Sequence, residues 1–140
     1  MRLRASFWRP ASVRHRLMES EQGMKSFVKV LVSDGERSAR FYEALGFEQV
    51  HSEPPFIHLR WSAGGDVYLV ATSAGAALQG RRGLGVLLGF RTGPEGVDAV
   101  ASRALKHGVE VDGPTLQPWH TREILLTDPD GYRLNFIEPA

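Results

Sequence analysis

Apolar and polar positions along this chain run in two successive and similar series. Phe27 to Val32 (FVKVLV) is a β-rich run, and Ser33-Asp34 after it supplies helix-capping chemistry with Glu36 in the first turn. Ser38, Phe41, Tyr42 and Leu45 then recur at helical spacing as one face, and Gly46 is a natural stop. Strands are expected at Phe47–His51, Phe56–Trp61 and Val67–Thr72, separated by Pro54-Pro55 and by Gly64-Gly65. Residues 73–83 carry no core pattern. A strand over Leu84–Arg91 follows, with Thr92 to Glu95 reading as cap and first turn. Val97, Val100, Ala101, Ala104 and Leu105 form the next apolar stripe, which ends at Gly108. Val109–Val111 reads as a strand broken by Gly113-Pro114. The last two strands, Glu123–Thr127 and Tyr132–Ile137, flank the turn Asp128-Pro129-Asp130-Gly131.

The helix-ending glycines, Gly46 and Gly108, lie about 60 residues apart, as do the helix-starting Ser33 and Thr92. Each period holds one β-α-β-β-β unit, giving modules at about 25–73 and 82–139 within one domain, 24–140. A helix covers one face of each unit's sheet. The other face must be closed by the second unit, a partner chain or a ligand.

Composition removes several function classes. With 140 residues and 42% hydrophobic content, the chain can bury a real core as a soluble globular domain. It has no cysteine, which excludes disulfide scaffolds, thiol nucleophiles and Cys-ligated metals. Its charge of +1 is no nucleic-acid signature, and its longest apolar run, Leu84–Phe90, is too short to cross a bilayer. Residues 1–23 carry five arginines against Glu19 and Glu21 and lack an apolar face. They read as a basic leader that is disordered or non-native, with a transit peptide or an early start codon before Met24 as the other readings.

Two stretches carry a resemblance. FVKVLVSDGERSARFYEALGFEQV (27–50) and TREILLTDPDGYRLNFIEP (121–139) resemble the glyoxalase, bleomycin-resistance and dioxygenase superfamily, called vicinal oxygen chelate after its metal-using members. The V-S-D, S-x-x-FY and LGF elements and the DPDG turn carry it, over residues 25–139. It implies an α+β fold of two βαβββ modules forming a curled mixed sheet around a cavity, usually in a homodimer. In the metal-using members four strands each supply a ligand. The matching positions here are Phe27, Leu69 or a neighbour of it, Val86 and Asn135. Phenylalanine, leucine and valine cannot ligate a metal, and one asparagine carbonyl cannot hold one. Neither a metal nor a cofactor is therefore expected.

His51 and His58 flank Pro54-Pro55, so a hairpin can bring them together, although no third ligand is apparent. His107 sits where a cation suits a helix C-terminus. Gln117-Pro118-Trp119-His120 lies where bleomycin-resistance proteins carry a similar motif. Trp119 there either stacks on a planar ligand or packs at a domain or dimer seam. By strand alternation Lys29 and Leu31 share the face of Phe27, and Arg133 and Ile137 that of Asn135. The expected function is metal-free binding of a small, aromatic molecule such as an antibiotic by a cytoplasmic homodimer. Phe27, Lys29, Trp61, Leu69, Val86, Trp119 and Asn135 are expected around the ligand, with no nucleic-acid or membrane partner. The alternative is a lyase, isomerase or dioxygenase with an atypical metal site, which His58, His120 and Glu123 clustering in one cavity would favour.

Overall fold

The computed structural model describes residues 25–61, 64–73, 75, 82, 83 and 85–140. The basic segment 1–23, Gly80, Arg81 and Leu84 lie outside them. The first module runs β1 (Phe27–Val32), α1 (Gly35–Leu45), β2 (Glu48–Glu53), β3 (Phe56–Arg60) and β4 (Asp66–Ala71). The second runs β5 (Leu88–Arg91), a 3-10 turn (Gly93–Glu95), α2 (Gly96–Lys106), β6 (Asp112–Leu116), β7 (Thr121–Thr127) and β8 (Arg133–Pro139). Each module makes a four-stranded mixed sheet, ordered β1-β4-β3-β2 and β5-β8-β7-β6. The outer strands β1 and β5 run parallel to β4 and β8, and the other pairs are antiparallel. The α+β fold and its two βαβββ modules are thus present, as two sheets and not one closed barrel.

Local chemistry explains most element boundaries. The Asp34 side chain accepts the Arg37 backbone N–H and caps α1, and Gly46 ends that helix at φ 126°. Thr92, by contrast, does not cap α2. Its side chain is buried, and the helix is capped across the module by Glu138 of β8, which accepts the Val97 N–H at 2.6 Å. The strand expected at Val109–Val111 forms instead at Asp112–Leu116. Proline is tolerated there because β6 is an edge strand with an irregular register, while Val109 and Val111 turn inward against the core.

One core serves both modules. α1 packs on β3 and β4, α2 on β7 and β8, and the two helices touch each other. Phe47 stands edge-on to Tyr42 (5.5 Å between ring centres), Trp61 (4.8 Å) and Phe90 (5.2 Å), and Phe90 stacks on Phe136. Val30, Val32, Leu59, Val67, Leu69, Ile124, Leu126 and Leu134 complete the buried layer from the sheets. The helices and this core thus lie against one face of each sheet, and among the described elements no helix covers the opposite faces.

The sequence motifs prove to be two halves of one lock. Asp130 of the DPDG turn accepts the Ser33 N–H and hydroxyl (2.7 Å from the latter) and the Ser38 hydroxyl, with Arg37 and Arg82 at 3.6 and 3.7 Å. Asp128 accepts the Tyr42 hydroxyl at 2.9 Å and the N–H groups of Asp130 and Tyr132. Burial pushes the Asp128 carboxyl above its ordinary range, and its hydrogen bonds offset this only in part. A raised carboxyl opposes folding where it is ionised and ceases to do so as the pH falls through its raised value. Tyr42→Phe removes the hydroxyl donor, so a loss of about 1–3 kcal/mol is expected near neutral pH, shrinking in acid. Urea unfolding at several pH values measures it.

Candidate functional site

The uncovered face of the first sheet is aromatic. Phe27, half exposed on the edge strand β1, stacks on Tyr68 of β4 at 4.4 Å between ring centres. Tyr68 in turn meets Phe56 (5.2 Å) and His58 (4.7 Å) of β3 edge-on. Lys29 lies beside Tyr68 in the β1–β4 register and is exposed. The hairpin does place His51 directly opposite His58. His58 is already engaged: its Nε2 lies 2.6 Å from Asp66 Oδ1, the same oxygen that accepts Arg60 Nε at 2.8 Å.

Asp66 is subject to opposing effects. Partial burial raises its carboxyl pKa, but the hydrogen bonds from His58 and Arg60 outweigh that and hold it below the ordinary value. A depressed carboxyl stabilises the fold above its unfolded pKa, and the contribution disappears as pH falls through the folded one. Asp66→Asn should therefore be less stable than the parent at about pH 7, the gap closing below about pH 4. Thermal melts across that range test it.

The uncovered face of the second sheet is polar around one carboxylate. Glu123 on β7 receives hydrogen bonds from Trp119 Nε1 (3.1 Å), the Thr121 hydroxyl and Asn135 Nδ2 (3.2 Å). The Thr121 hydrogen bond is the main reason that its carboxyl lies below the ordinary range; burial opposes it, and Trp119 and Asn135 add to it. Trp119 stays 64% exposed, so its ring face is open while its N–H is fixed. His120 follows at φ 67° in the same turn.

The expected site residues therefore separate into groups. Phe27 and Lys29 lie on the first open face, and Asn135 and Trp119 beside Glu123 on the second. Val86 is exposed but precedes β5, which begins at Leu88 and not at Leu84. Leu69 and Trp61 do not belong with these. Both are buried in the shared core, Leu69 completely, because β4 alternates with Val67 and Leu69 inward and Tyr68 outward. Tyr68 is thus the position that sequence reasoning missed, and the inward pair Val67/Leu69 is the signal that points to it. The partners of Glu123 leave no signal in the sequence, since its donors come from a turn and from the neighbouring strand.

His58, His120 and Glu123 do not gather in one chain: His58 is on the first sheet and Glu123 on the second. Among the described residues no group of three His, Asp or Glu side chains is arranged to hold a metal ion. The four strand positions that the resemblance marks for ligands present Phe27, Tyr68 or Leu69, Val86 and Asn135, which do not suit a divalent ion.

Residues 25–136 match the Glyoxalase/Bleomycin resistance protein/Dioxygenase superfamily. The chain belongs to this superfamily. Its fold is similar to that of a bleomycin resistance determinant encoded on the transposon Tn5 (20% identity, TM-score 0.65, 83% of this chain and 98% of that one). It is also similar to TnmS3, an antibiotic-binding protein from Streptomyces sp. CB03234 (27% identity, TM-score 0.60, 84% and 98%). A third solved relative is the fosfomycin resistance protein FosX from Listeria monocytogenes (18% identity, TM-score 0.67, 84% and 93%). None of the curated protein sequences matches this superfamily member. Among its described residues no helix is long and apolar enough to cross a membrane.

Proposed function

We propose that this chain is a metal-free binding protein that sequesters a small aromatic molecule, an antibiotic or an aromatic metabolite, as a cytoplasmic homodimer. The observation that carries this reading is the ring cluster on the open face of the first sheet, Phe27, half exposed, with the partly buried Tyr68, Phe56 and His58. Aromatic rings left open on a sheet stack well on planar ligands, and sequestration needs affinity without a chemical step. The likeness to an antibiotic-binding protein supports the same reading. Residues 24–140 act as the single binding domain, and 1–23 stand outside it.

The homodimer is supported by where apolar surface is left. Phe27, Val86, Leu87 and Trp119 are all exposed, at the edges and turns around the two open faces. A second chain laid across them would cover what one chain leaves bare and enclose the ligand.

The reading is tested with the full-length chain, screened by thermal shift against planar aromatic compounds. A ligand at a hundredfold excess over its Kd stabilises the native state by about 2.7 kcal/mol, a rise of roughly 8 °C for a domain of this size. Phe27→Ala and Tyr68→Ala should each abolish that rise. Phe27→Ala should lower the ligand-free melting point less than Tyr68→Ala does, because Phe27 is half exposed in one chain and Tyr68 is partly buried. One tightly held transition metal per purified chain contradicts the reading. The enzyme alternative keeps a single support, the His58–Asp66 pair, whose carboxylate orients the imidazole as acid–base catalysis needs. Turnover of a bound compound that is lost in His58→Gln would favour it.

A further inference from the structure

We propose that the open face of the second sheet binds the protonated nitrogen of the ligand, an ammonium or amidinium, between the Glu123 carboxylate and the Asn135 side-chain oxygen. This rests on the binding reading above and adds a ligand charge to it.

Asn135 Nδ2 lies 3.2 Å from Glu123 Oε1 and 3.3 Å from the Ile124 carbonyl. Both partners only accept, so the amide NH2 must face them and both of its hydrogens are spent. Asn135 Oδ1 is left as an acceptor, and no hydrogen bond to it occurs among the described residues. Glu123 can only accept when ionised, and its depressed pKa keeps it so. The indole N–H of Trp119 and the Thr121 hydroxyl are also committed to Glu123. Every donor that meets Glu123 is thus committed, while acceptor oxygens remain on Glu123 and Asn135, which suits a ligand group bearing several N–H bonds and a positive charge.

Two further observations agree. Glu123 has no cationic partner among the described residues. Arg122, next to it in sequence, points to the opposite face and binds Asp98 and Glu138. Arg133 is engaged with Thr127 and Asp112. Arg91 shares a row with Ile137 and Glu123 but lies two strand spacings, about 9–10 Å, from Glu123. Asp66 on the first sheet is the contrasting case, a carboxylate already paired with Arg60 and hydrogen-bonded to His58. Space is available as well. Gly89 lies beside Asn135 in the β5–β8 register, and a Cβ there would meet nothing within 4 Å. Beyond Leu125, the register partner of Asn135, a hollow of about 490 Å³ is lined by Glu110, Val111, Asp112, Leu125, Thr127 and Arg133.

The test uses three matched probes on the full-length chain, followed by calorimetric titration: 2-naphthylmethylamine, 2-naphthylmethanol and 2-naphthoate. The amine should bind at least about tenfold more tightly than the alcohol, as one charge-assisted hydrogen bond of about 1.5–3 kcal/mol requires. Glu123→Gln, which keeps the shape, should bring amine and alcohol within about threefold of each other, chiefly by weakening the amine. Gly89→Leu fills the space beside Asn135 and should weaken the amine. An amine preference that survives Glu123→Gln, or amine binding untouched by Gly89→Leu, overturns the proposal. So does equal or tighter binding of the alcohol or the naphthoate, although aromatic binding lost in Phe27→Ala would then leave the binding reading standing. If none of the three binds at millimolar concentration, both the proposal and the reading beneath it fall.

Discussion

Asp130→Ala is expected to lower the free energy of unfolding by about 3–5 kcal/mol, the range found when one member of a buried charged network is removed. The carboxylate is almost fully buried and collects groups from three segments: Ser33 and Arg37 at the start of α1, Ser38 within it, and Arg82 before β5. Alanine takes the acceptor from the Ser33 N–H and hydroxyl and from the fully buried Ser38 hydroxyl together. Orphaned buried donors cost about 1–3 kcal/mol each, and one carboxylate here serves several. Asp130→Asn keeps an oxygen in place and should cost less than half as much. A double-mutant cycle with Ser38→Ala should show coupling of about 0.5–1 kcal/mol or more, since the pair is in contact. A cost below about 1 kcal/mol in urea unfolding would falsify the view that this turn locks the modules.

That lock shows where the sequence could be read and where it could not. Periodicity located both helices and nearly every strand, because the helix-facing side of each sheet is uniformly apolar and the pattern is local. Val30, Val32, Tyr42, Leu45 and Leu134 announce their burial by spacing alone. The contacts between Ser33, Ser38, Tyr42 and the DPDG turn span roughly ninety residues. No periodicity carries such information, so the turn reads as a turn and its second role stays hidden. The bounds of β6 are hidden for a related reason. Gly113-Pro114 breaks a central strand, but only the sheet order shows that this one lies at an edge.

The candidate site was legible to about the same depth. Alternation along β1 places Phe27 and Lys29 outward and Val30 and Val32 inward. Carrying the same reasoning to β4 needs the register between the strands. A shift of one residue exchanges Leu69 for Tyr68, a core aliphatic for a site aromatic. Glu123 and Asn135 are twelve residues apart on adjacent antiparallel strands, so their hydrogen bond follows from the pairing and not from any motif. Aromatic and polar functions end on separate sheets of one chain, which is why the proposed ligand, with a planar body and a charged nitrogen, calls for two chains.

Trp61→Ala should be the other severe substitution, and it separates packing from binding. Trp61 was expected beside the ligand, yet it is 6% exposed and joins the two modules. Its ring meets Phe47 of the first module at 4.8 Å and Phe136 of the second at 5.8 Å, with the Arg103 guanidinium 5.9 Å from the ring centre. The far edge of the indole lies so close to Gly46 that a Cβ there would approach it to 3.3 Å. Removing a ring held on so many sides leaves a cavity that the two sheets cannot close, at a cost of about 3–5 kcal/mol. Trp61→Phe keeps the stacking faces and should cost about 1–2 kcal/mol, leaving a protein that is folded at room temperature. Its affinity for 2-naphthylmethylamine should match that of the parent within about twofold, because the ligand would contact the opposite faces of both sheets. A folded Trp61→Phe protein that has lost the probe would instead place this tryptophan in the site and move the binding surface from the open faces to the seam between the modules.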